Sequence, residues 1–169
     1  MASKKILVVL PPRDFDENEF FTLKRMAEAR GHKISVASIA SGAVESSRGV
    51  SVLVDVRLHE VKTYEYDAVV FMGGDGARIY FDDPQARKLA SDVKYKTLGA
   101  TGNATVLLSQ AGVLSKKKVT APPEWADWIV RGGATFTGRP LEIDEKLITA
   151  QGPAFVETFA NAFLKTIES

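Results

Sequence analysis

Short apolar runs alternate along the chain with segments whose apolar positions recur at helical spacing. The run 6–10 (ILVVL) reads as a buried strand, and 14–31 (DFDENEFFTLKRMAEARG) as a helix with Phe20, Leu23 and Ala27 on one face. Asp14 or Asp16 can cap that helix, Glu17 and Glu19 suit its positive end, and Gly31 stops it. A second strand is predicted over 33–38, and 51–58 alternates as a more exposed strand or hairpin. The continuous apolar run 67–74 (DAVVFMGG) ends in Gly73-Gly74, and 82–93 is a helix with Pro84 near its first turn. A strand over 97–100, a helix from about 102 to 111 and a strand over 118–121 follow. The chain closes with a strand over 146–152 and a helix over 153–167 that starts at Pro153. Strands alternating with helices imply an α/β fold whose mostly parallel sheet is covered on both faces.

In such folds, ligands bind beyond the carboxyl ends of the strands. Four segments should therefore meet: 11–17 (PPRDFDE), 73–78 (GGDGAR), 100–105 (ATGNAT) and 122–128 (PPEWADW). The third is a strand-to-helix turn of the kind that often carries a nucleophile, but its apex is Gly102. Composition sharpens this point, because the 169-residue chain contains no cysteine. Disulfides, thiolate metal sites and cysteine nucleophiles are thereby excluded, and a reducing, cytoplasmic compartment is expected. No repeat or linker divides the chain, so residues 1–169 are read as one domain.

A formal net charge of +1 gives no reason to expect nucleic acid or an anionic membrane as partner. The basic run Lys116–Lys118 reads as a solvated turn. The apolar start is too short for a signal sequence, Pro11-Pro12 ends it, and no segment is long enough to span a bilayer. No cofactor is expected: the first strand-to-helix turn lacks the glycines of a dinucleotide fingerprint and the Gly-Lys-Ser/Thr of a P-loop. No metal site is expected either, since His32 and His59 have no ligand partner at metal spacing; His32 reads as a surface residue.

Taken together, the blocks 66–90 (YDAVVFMGGDGARIYFDDPQARKLA), 100–121 (ATGNATVLLSQAGVLSKKKVTA) and 146–167 (KLITAQGPAFVETFANAFLKTI) resemble the DJ-1/PfpI (ThiJ) family. That family belongs to the class I glutamine amidotransferase-like superfamily. The resemblance runs over nearly the whole chain and implies a flavodoxin-like three-layer α/β/α sandwich, commonly assembled as a homodimer or larger oligomer. It also implies that Gly102 stands where the family carries its elbow cysteine, with Asn103 and Thr105 following. An acid from the first loop, Asp16 or, one residue on, Glu17, would face Gly102. The Gly74 and Asp75 region would supply oxyanion-hole amides. A thiolate mechanism has no attacking atom here.

The expected binding residues are thus Gly74, Asp75, Gly102, Asn103 and Thr105, with Asp16 as the only candidate acid or base. Each also has a purely structural reading. Asp16 can simply cap the first helix, and Gly74 and Gly76 can serve a tight turn. Thr105 can bond locally to backbone. Trp125 and Trp128 line the pocket mouth or pack an interface, while Arg78 and Tyr80 bind an anion or solvate a loop. Three functional classes remain open. The first is a pseudoenzyme that binds a small polar or anionic metabolite over the helix amides next to Gly102. The second is a cysteine-independent hydrolase or lyase-like enzyme using Asp16 and water on small amides or carbonyls. The third is an interaction protein acting through oligomer surfaces.

Overall fold

Strands buried on both faces need apolar residues at every position, and the first and middle strands have them. The computed structural model describes residues 2–169; Met1, counted in the domain by the sequence reading, lies outside the described residues. In chain order the strands are β1 (Lys5–Val9), β2 (Arg13–Phe15), β3 (Lys33–Ser38), β4 (Ala43–Ser46), β5 (Ser51–Leu53), β6 (Val56–Arg57), β7 (Ala68–Phe71), β8 (Thr97–Thr101), β9 (Lys118–Val119), β10 (Thr135–Phe136), β11 (Leu141–Asp144) and β12 (Leu147–Ala150). The α-helices are α1 (Glu17–Ala29), α2 (Pro84–Asp92), α3 (Ala104–Gln110), α4 (Ala126–Arg131) and α5 (Val156–Glu168).

The main sheet runs β11-β12-β8-β7-β1-β3-β6, parallel throughout except for β11. Alternate side chains of each strand point to opposite faces. Ile6 and Val8 join Phe20, Leu23, Phe159 and Phe163 of α1 and α5 on one side. Leu7 and Val9 join Leu89, Val106, Leu107 and Ile129 of α2, α3 and α4 on the other. The result is the expected flavodoxin-like three-layer arrangement. No helix among the described residues is long and apolar enough to cross a membrane.

Three expectations need correction. Residues 118–121 do not extend the main sheet: Lys118–Val119 pairs only with β10, in a separate two-stranded sheet. The antiparallel return β11 already occupies the edge of β12. Side chains from this hairpin take the nearby amides instead: Asp144 accepts from Lys118 N–H at 2.8 Å and Thr149 from Thr120 N–H at 3.0 Å. The segment 51–58 splits between two sheets. Its first part forms a hairpin with β4, and its second continues the main sheet beside β3. His32 is buried rather than a surface residue. Its Nδ1 accepts from Lys4 N–H at 3.0 Å, and its Nε2 lies 2.7 Å from Glu168 Oε2, so the link is closed by the last turn of α5.

Candidate functional site

Each parallel strand delivers a loop to the same end of the sheet, and these loops enclose a cleft of about 340 Å³. All four segments contribute, through Asp14 and Asp16, Gly74, Asp75 and Arg78, Gly102 and Asn103, and Pro122, Glu124 and Trp125. Ser47 and the 151–153 turn complete the wall. A larger hollow of about 640 Å³ lies at the opposite, amino end of the strands, but none of its charged side chains is buried.

The first loop is pinned from three sides. Phe15 is buried, β2 pairs with β4, and Asp16 N–H donates to Gly73 O at 3.2 Å. Asp16 Oδ1 accepts from Glu19 N–H at 2.9 Å, which makes Asp16 the N-cap of α1 as well as a residue of the cleft wall. Glu17 turns away and accepts from Ser46 Oγ at 2.9 Å. The acid that faces the elbow is Glu19, one turn into the helix, which the sequence reading placed only as a dipole partner. Only its register three residues after the cap, next to Phe20 on the inward face, hinted at this.

Glu19 is 1% exposed. Its Oε1 accepts from Thr101 Oγ1 at 2.9 Å, and Thr101 Oγ1 in turn accepts from Gly73 N–H at 3.0 Å. The other oxygen, Oε2, is buried without a hydrogen-bond partner. Burial pushes the Glu19 carboxyl up to about 8; the Thr101 hydrogen bond opposes this, the charge of Asp16 adds to it, and the Gly73 amide lowers it slightly. At neutral pH the group is therefore protonated.

The elbow follows directly. Gly102 closes β8 with φ 55°, the left-handed region where a side chain costs about 1–2 kcal/mol. Its N–H donates to Ala150 O at 3.0 Å. A Cβ built there would find Glu19 Oε2 and Gly73 Cα at 3.8 Å, ordinary contact, so space for a side chain remains. The Gly74 amide is not a free oxyanion donor. Asn103 Oδ1 accepts from Gly74 N–H at 3.3 Å, while Asn103 Nδ2 donates to Gly74 O at 3.0 Å. Gly74 itself is held at φ 125°, and a Cβ on it or on Gly76 would collide with the carbonyl oxygens of Asp14 and Arg13, respectively. These glycines let the middle loop lie against β2.

Thr105 does not reach the cleft; it is fully buried in α3, and its hydroxyl has no partner. Tyr80 is also buried, not at the rim. Its hydroxyl donates to Leu10 O at 2.6 Å and accepts from Ile39 N–H at 3.1 Å, tying together the ends of β1 and β3. Arg78 does line the cleft, with its guanidinium 5.4 Å from the Trp125 ring centroid. Trp125 reaches the wall and packs edge-on against Phe81 and Trp128, whereas Trp128 lies outside the cleft.

The model of the DJ-1/PfpI family matches residues 4–166. The chain belongs to this family. The protein MJ0967 of Methanocaldococcus jannaschii is 30% identical, with 99% of this chain and 84% of the relative covered. The glutathione-independent glyoxalase DJR-1.2 of Caenorhabditis elegans is 27% identical, over 99% of this chain and 90% of its own. The crystal structure of a ThiJ/PfpI domain protein from Brachyspira murdochii superposes with a TM-score of 0.95 at 28% identity, covering 99% of this chain and 98% of that one.

Proposed function

We propose that this family member binds a small polar metabolite without covalent chemistry, at a site where Gly102 replaces the family's thiol. One observation carries the reading: a buried carboxyl oxygen of Glu19, lacking any hydrogen-bond partner, faces the side-chain-free space over Gly102. An unsatisfied buried polar group costs about 1–3 kcal/mol, and a ligand that completes its hydrogen bonding recovers that cost. The nearby Gly73 and Gly74 amides are already taken by Thr101 and Asn103. The test is thermal stabilisation by small amides, carbonyl compounds and amines, with mass spectrometry of the recovered ligands. Stabilisation with the ligand returned unchanged supports the reading, and turnover overturns it.

A second reading has an observation of its own. A carboxyl whose proton affinity lies near neutrality suits general acid or base catalysis, and Glu19, rather than the capping Asp16, is that group. A cysteine-independent activity on 2-oxoaldehydes, the substrate class suggested by the glyoxalase relative, would then run through Glu19. Turnover in the wild type that disappears in Glu19→Gln supports it, and equal activity in both removes Glu19 from the chemistry.

A further inference from the structure

We propose that the ligand of this cleft is a small organic cation, an alkylammonium or alkylguanidinium, whose charged head lies between Glu19 and the acidic rim. The inference deepens the binding reading above and rests on it.

Four carboxylates line the cleft besides Glu19: Asp14, Asp16, Asp75 and Glu124. Arg78 is the one basic side chain on the wall. A chain with a formal net charge of +1 thus concentrates negative charge at this place. None of the four carboxylates is in an ion pair among the described residues, and the Arg78 guanidinium is stacked on Trp125. Asp14 is held at φ 58°, a conformation uncommon for a residue with a side chain.

Glu19 is the second, independent observation. Its Oε2 is buried, lacks a partner and lies 3.8 Å from where a Cβ of Gly102 would stand, both residues being on the cleft wall. A cation there meets Glu19 in a poorly solvated setting, where its attraction to the carboxylate, once the proton has left, is stronger than in water. An anion would meet the four rim carboxylates and would find the Gly73 and Gly74 amides already engaged. Among the described residues no three acidic or histidine side chains come together in a set that could hold a metal ion, so the dispersed rim suits an extended organic cation.

Binding has a proton signature. Glu19 holds its proton at neutral pH in the empty cleft, and a cation beside Oε2 favours the ionised form. Association at pH 7 should therefore release protons, up to one per ligand.

The experiment compares three probes with the same four-carbon chain: butylammonium, butyramide and butyrate. Calorimetry in buffers of different ionisation enthalpy reads affinity and proton release together. Butylammonium should bind at least about tenfold more tightly than the other two. Its affinity should fall as salt rises from about 20 to about 200 mM. Glu19→Gln should abolish the proton release. The double variant Asp75→Asn/Glu124→Gln, altered only on the exposed rim, should weaken butylammonium about two- to tenfold and leave butyramide unchanged. Tighter binding of butyrate or butyramide would overturn the cation and leave the binding reading standing. Binding of none of the three at about 10 mM, with butylguanidinium equally silent, would overturn both.

Discussion

Oε2 of Glu19 lies 3.8 Å from the point where a Cβ of Gly102 would stand, with nothing donating to it or accepting from it. The helix that carries Glu19 and the strand that ends beside Gly102 are separated along the chain by three strands of the main sheet, β3, β6 and β7. The juxtaposition depends on the Thr101 hydroxyl, which bridges Gly73 and Glu19. Four consequences can be measured.

Glu19 should make stability fall as pH rises. Its proton affinity is about 8 in the fold against 4.5 as reference, so between those values the folded protein retains a proton that the unfolded chain has lost. The contribution is complete below the lower value and gone above the upper one, a change on the order of 3–5 kcal/mol. Urea denaturation across this range should show the decline in the wild type. Glu19→Gln, which cannot ionise, should flatten it.

Gly102→Cys should fold. Its side chain enters open space, so the cost is the left-handed backbone, about 1–2 kcal/mol by chemical denaturation. The new thiol lies against Glu19 and, on the non-covalent reading, should confer a 2-oxoaldehyde turnover above that of the wild type. Equal turnover in wild type and variant would contradict the non-covalent reading.

Gly76→Ala should destabilise by about 1–3 kcal/mol or more, because its methyl group collides with the Arg13 carbonyl oxygen and neither backbone can yield cheaply. Since that contact holds the neighbouring wall residues Asp14 and Asp75, ligand-induced stabilisation should fall along with the midpoint of unfolding.

Tyr80→Phe should cost about 1–3 kcal/mol, through the buried Leu10 carbonyl and Ile39 amide that lose their partner. Tyr80 lies outside the cleft wall, so ligand affinity should be unaffected. A large change in affinity would show that the ends of β1 and β3 shape the site.

The layered architecture was legible because its signals are local. Continuous apolar runs became β1, β7 and β12, the 33–38 strand has the predicted bounds, and Asp83 and Pro84 open α2 as turn chemistry requires. The absence of cysteine and the glycine at the elbow were likewise readable without coordinates. So was the meeting of the first three loops at one end of the sheet, because parallel strands joined by helices send every following loop the same way; the fourth arrives from β9, outside the main sheet.

Tertiary structure alone decided which groups face one another. Asp16 and Glu19 are both acids at the start of one helix, and the helical rotation between them turns one into a cap and the other into the buried acid. Whether the Gly74 amide was free depended on the reach of Asn103 from a different loop, and whether His32 was exposed depended on the last turn of α5. Composition and periodicity report how often a residue can be buried. Only packing fixes the partner it meets, and here that partner determines its charge.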